Sequence, residues 1–131
     1  MAQKSVELIL LRQWASYLTT PIFVAGPDGG LVYYNEAAEE LLGRKFDDAG
    51  EMPLRDLTRI FEITDELGGA LSPEDIPMGV ALTEHRPAHR RLRFRALDGP
   101  WRIVDVTSFP IEGHDEQHLG AVAIFWETQT E

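Results

Sequence analysis

The sequence predicts an α+β domain built on a five-stranded antiparallel sheet, with its helices inserted between the second and third strands. Three observations predict it. Apolar residues recur with a period of two around 21–26, 31–34, 89–97, 101–111 and 119–126. Turn residues stand between the paired segments, as Gly26-Pro27-Asp28-Gly29-Gly30, Asp98-Gly99 and the polar run Gly113 to Gln117. Helix formers framed by start and stop signals fill the stretch between Asn35 and Glu84.

Ser5 to Leu18 contains no Gly or Pro. Leu8, Leu11, Ala15 and Leu18 form one helical stripe, and Val6, Leu10 and Trp14 form a second beside it. So wide an apolar arc suits a helix that packs on its own domain with one stripe and on a partner chain with the other. Pro21 ends the helix, because proline disfavours the helical conformation in the residue before it. In the strand that follows, Ile22 and Val24 point one way and Phe23 and Ala25 the other, so both faces are covered. Leu31 to Tyr34 returns as a hairpin partner. Asn35 is a natural N-cap for Glu36 to Leu42, and Gly43 a natural left-handed terminator. Residues 44–73 read as irregular and acidic, with short helices over Leu54 to Leu57 and around Arg59 to Ile63. Pro73, Glu74 and Asp75 signal a further helix from about Ser72 to Glu84. In the arginine-rich segment Leu92, Phe94 and Ala96 face inward and Arg91, Arg93 and Arg95 outward, the pattern of an edge or near-edge strand.

A chain of 131 residues makes one core. Its apolar run Ile9 to Leu11 is broken by Arg12, far short of a membrane span, and a cytoplasmic protein is expected. The absence of cysteine excludes disulfides, thiolate nucleophiles and sulfur-ligated metal centres. A formal charge of −10 speaks against nucleic-acid binding, which needs a cationic face. The charge is unevenly spread: Glu36 to Glu84 holds thirteen acidic and four basic residues, and Arg86 to Arg102 holds six arginines against Asp98 alone. These arginines are either the solvated face of a strand or a strip that meets acidic surface on a partner or a second copy.

The segment PIFVAGPDGGLVYYNEAAEELLG, residues 21–43, resembles the opening of a PAS domain. LSPEDIPMGVAL looks like the helix before that family's third strand, and LDGPWRIVDVTSFPI with GAVAIFW looks like its closing strands. The resemblance implies strand order 2-1-5-4-3, with helices on one face enclosing a pocket and the N-terminal helix on the opposite face or on a second subunit. It divides the chain into a cap and dimerisation helix over 1–19, a PAS core over 20–128 and a tail over 129–131. Glu127-Thr128 loosely matches the junction through which the family passes signals onward. Whether the chain stands alone or belongs to a larger signalling protein stays open.

The function expected is a non-catalytic sensory and protein-interaction module, a homodimer through Val6, Leu8, Leu10, Leu11, Trp14, Ala15 and Leu18, with a signalling protein as a further partner. A pocket would be lined by Val24, Leu57, Ile60, Phe61, Ile76, Val80, Phe94 and Ile103 or Val104, holding a small apolar ligand or simply filled by its own side chains. Carriage of a hydrophobic molecule such as a fatty acid is the alternative. His85 and His89 are where the family could place a haem ligand, but both are expected to face solvent. A flavin adduct lacks its cysteine, and non-covalent flavin has no positive signal. His114 and His118 are four apart, as in zinc helices, but His114-Asp115-Glu116-Gln117-His118 reads as a hairpin loop and no metal site is expected. Asn35 has a structural role as helix cap and sits where the helix could couple to the sheet.

Overall fold

A computed structural model describes residues 6–43, 61–96, 99–113, 115 and 117–129. Along the chain run α1 (Val6–Ala15), β1 (Ile22–Ala25), β2 (Leu31–Tyr34), α2 (Glu36–Leu42), β3 (Phe61–Thr64), a 3-10 turn (Pro73–Asp75), α3 (Pro77–Glu84), β4 (Ala88–Ala96), β5 (Arg102–Glu112) and β6 (His118–Gln129). The strands form one antiparallel sheet in the order β2-β1-β6-β5-β4-β3. This is the expected α+β architecture with six strands in place of five.

The added strand is a correction. Residues around Arg59 to Ile63 were expected to be helical, but Phe61 to Thr64 pair with Ala96 to Arg93. Phe61 and Ile63 pack against the core, while Glu62 reaches Arg95 on the neighbouring strand. Alternation with β-branched and aromatic residues suits a pleated surface better than a helix. The helix expected from Ser72 is also divided. Pro77 opens α3, and its ring holds Ile76 in the extended conformation, at φ −87° and ψ 134°, so the turn before it cannot join the helix.

The two faces of the sheet carry different cores. On one, Phe23, Leu31, Tyr34, Leu92, Phe94, Val104, Val106 and Ala123 pack with Ala38 of α2 and, at the margin, Met78 of α3. On the other, Ile22, Val24, Ile111, Leu119 and Val122 pack with Ala15, Leu8, Leu11 and Leu18 of α1 and its exit. An isolated ten-residue helix is marginal in water, so α1 depends on this contact.

β6 approaches β1 closely where Ala121 pairs with Ala25. Gly120 makes this contact at φ +138°, and a Cβ there would collide with the Ala25 carbonyl oxygen. Gly120→Ala is expected to lower unfolding free energy by about 3 kcal/mol through overpacking and backbone strain. Urea denaturation measures it, and an unchanged midpoint would show that the strands separate there without cost.

Candidate functional site

On the helix side of the sheet, four phenylalanines from four strands close a ring of contacts. Centroids are 5.0 Å apart for Phe23 and Phe125, 5.6 Å for Phe125 and Phe94, 5.2 Å for Phe94 and Phe61, and 5.9 Å for Phe61 and Phe23. Tyr34 adds a fifth ring 5.8 Å from Phe23. Tilted and edge-on contacts of this kind contribute about 0.5–1.5 kcal/mol each beyond area burial.

The expected pocket residues are divided by this geometry. Phe61, Phe94 and Val104 lie on the helix side. Val80 is buried on α3 and Ile76 half-buried at its start. Val24 faces α1 instead, because it alternates with Phe23. Ile103 likewise alternates with the buried Val104, so Val104 is the one of the pair that faces the helix-side core. Leu57 and Ile60 lie outside the described residues. The expected pocket set left out Phe23, Tyr34, Val106 and Phe125, and also Leu92, although Leu92 was expected to face inward. Period-two alternation paired Phe23 with Ala25, but both faces of β1 are apolar and nothing local says which one faces the helices.

The arc of α1 separates as its double stripe predicts, with one correction to the dimerisation set. Leu8, Leu11, Ala15 and Leu18 are consumed by the chain's own sheet. Val6 (66%), Leu10 (58%) and Trp14 (47%) remain exposed, joined by Ile9 (47%) and by Tyr17 (76%) just past the helix end.

Asn35 connects this helix to everything else. Its buried side chain accepts from Ala38 N–H at 3.0 Å, capping α2, and from Ile22 N–H at 3.1 Å, fixing the start of β1. Its Nδ2 donates to the carbonyls of Ala15 at 3.0 Å and Thr20 at 2.9 Å, with Leu18 at 3.4 Å. The capping role was expected. The donor side was not, because its partners lie 15 to 20 residues earlier.

The arginine strip is answered largely within the chain. Arg91 forks onto Asp105 at 3.0 and 3.3 Å. Arg95 meets Glu62 at 2.9 Å, and Arg93 and Arg95 lie 4.5 and 5.1 Å from the Trp101 ring centroid. Hydrogen bonding from Arg91 holds the Asp105 carboxyl below its usual range, and the same bond raises the Arg91 guanidinium. His85 and His89 are both exposed, as expected. His89 shares a 2.8 Å hydrogen bond with Thr107 on the neighbouring strand. His118 opens β6, not a helix, while His114 lies outside the described residues.

Two outcomes follow from these contacts. Asn35→Asp keeps an acceptor for Ile22 and Ala38 but turns an oxygen toward the carbonyls of Ala15 and Thr20. It is expected to cost about 2–3 kcal/mol and to speed amide exchange over residues 15–20 more than in α2; uniform exchange would refute selective release. Asp105, with its folded value lowered, contributes stability fully above the ordinary carboxylate range, and that contribution is lost as pH falls through the lowered value. Arg91→Gln is expected to move the Asp105 titration upward by NMR, and an unmoved titration would show that Arg91 is not the cause.

Among curated proteins, none matches the chain. Solved structures do, at identities that show the fold alone. The PAS domain of Bordetella pertussis BvgS aligns with a TM-score of 0.62 and 15% identity, covering 95% of this chain and 88% of that one. The PAS domain of nitrogen regulation protein NR(II) from Vibrio parahaemolyticus gives 0.61 and 16%, covering 90% and 97%. The Rhodobacter sphaeroides LOV protein gives 0.72 and 12%, covering 95% and 69%. The family model described as PAS fold matches residues 17–131. With that match, and with the sheet order and helix placement described above, the chain belongs to the PAS-fold family.

Proposed function

We propose that the chain is a non-catalytic sensory and protein-interaction module of signal transduction, working as a homodimer through the outward stripe of α1. The carrying observation is the division of α1 into a stripe packed on its own sheet and a stripe of Val6, Ile9, Leu10, Trp14 and Tyr17 left to solvent. Contiguous exposed apolar surface of this kind marks an association site. A second copy supplies the same surface, so the two stripes bury one another about a twofold axis.

Asn35 supports the sensory part of the reading. A displacement of α1 on dimer rearrangement pulls on the carbonyls of Ala15 and Thr20, and through one amide on β1 and the cap of α2. The regulatory setting of the nitrogen regulation protein whose domain shares this fold agrees with such a role. The phenylalanine ring gives this module an apolar helix-side interior, with Phe23 and Phe94 buried and Phe61 and Phe125 half-buried.

Sedimentation velocity tests the dimer. Leu10→Glu and Trp14→Glu are expected to give a folded monomer, since neither residue is needed by the sheet. Leu11→Glu is expected to destabilise the domain by about 2 kcal/mol, because it forces a charge against the α1-side core. A wild-type monomer, or an unchanged dimer in both exposed-stripe variants, overturns the interface.

A further inference from the structure

One edge of the sheet is only half covered. β3 pairs with β4 from Arg93 to Ala96 and no further, because the chain turns back after Thr64. The Asp65 carboxylate accepts the N–H groups of Leu67 at 2.9 Å and Gly69 at 2.7 Å, and the Asp65 N–H donates to the Gly69 carbonyl at 2.9 Å. This closed turn stops β3 from running on. Ala88 to Leu92 pair with β5 on one side, and among the described residues no strand lies on the other. In an antiparallel ladder alternate residues direct their N–H and C=O groups away from the partner. The stretch therefore presents a row of backbone groups with no strand to pair with. Pro87, which has no N–H, bounds it at one end and the Asp65 turn at the other. Five residues of strand span about 17 Å.

We propose that this edge takes up an extended acidic peptide segment of a partner protein as an added strand, antiparallel to β4 and in line with β3. The side chains set its charge. Arg86, His89, Arg90, Arg91 and Arg93 stand along or beside the stretch. Glu84 holds Arg86 at 2.9 Å and Asp105 holds Arg91 at 3.0 Å, while Glu66 of the turn acts on Arg91 more weakly. Arg90 and Arg93 meet no carboxylate among the described residues, and Arg93 lies over the Trp101 ring. Unlike charges directly opposed across two strands stabilise the pair and like charges weaken it. Leu92 packs into the helix-side core, so alternation puts Arg90 on that side and His89 and Arg91 on the other. An incoming strand is therefore suited by an apolar residue beside Leu92 and acidic ones opposite Arg91, Arg90 and His89. Main-chain hydrogen bonds supply its affinity and the arginines select it. The site uses none of the α1 residues, so it stands apart from the dimer interface.

A fluorescein-labelled peptide with the core Val-Glu-Glu-Glu-Thr tests the edge by fluorescence anisotropy on the full chain. Paired antiparallel, its valine lies beside Leu92 and its glutamates opposite Arg91, Arg90 and His89. It is expected to bind, and the same peptide with lysine for glutamate to bind at least tenfold more weakly. Arg90→Glu, its fold verified by circular dichroism, is expected to weaken the acidic peptide at least tenfold. Of two acidic peptides N-methylated at alternate residues, at least one is expected to bind at least tenfold more weakly, since one set of amides faces β4. Amide shifts on binding, read by NMR, are expected to be largest over residues 88–92. No binding of the acidic peptide, equal binding of the lysine peptide or of both N-methylated peptides, wild-type binding by folded Arg90→Glu, or shifts centred outside this edge each overturns the proposal.

Discussion

Three segments distant in sequence end at one buried carboxamide. The oxygen of Asn35 takes the N–H groups that open β1 and α2, and its nitrogen serves the carbonyls left over where α1 ends. Helix termini and strand starts are where backbone groups lack regular partners, and burying them unpaired would cost about 1–3 kcal/mol each. An amide alone among small side chains offers both an acceptor and two donors in one plane. A carboxylate could serve one half of the junction and a lysine the other. The angle at which α1 enters the fold, and hence which of its stripes reaches the sheet, depends on this single group.

The sheet then separates two kinds of packing. Against α1 the buried contacts are mainly aliphatic, with Ile22, Val24 and Val122 meeting Leu8, Leu11 and Ala15, and Tyr33 and Phe109 join them at the margin, Arg12 lying 4.9 Å from the Tyr33 ring centroid. Aliphatic stripes of this sort let a helix lie flat across strands. On the other side the phenylalanine ring is thick and its members lock one another by edge contacts. Motion of α1 over the first surface would repack weakly directional contacts, whereas motion within the second would break several ring pairs together.

Much of this was legible in the residues. The two stripes of α1, the hairpin at Gly26 to Gly30, the Asn35 and Gly43 caps and the inward Leu92 and Phe94 all follow from local pattern and turn chemistry. The failures share a cause. Phe61 to Thr64 is four residues long amid acidic sequence, and it becomes a strand only because β4 offers it an edge. Val24 and Phe23 are equally apolar, so the face each occupies is set by where the helices dock. The donor half of Asn35 joins residues well separated in sequence, and no local period encodes it.

The position of β3 has a bearing on how the protein behaves in a crowded solution. Its pairing covers β4 only from Arg93 to Ala96, and among the described residues no strand is recorded beyond Ala88 to Leu92 on that side. An open strand edge invites another chain to add to it. Here the stretch carries His89, Arg90 and Arg91, and like charges brought into register by a second identical edge repel. The arginines that look like a binding strip thus also disfavour edge-to-edge growth.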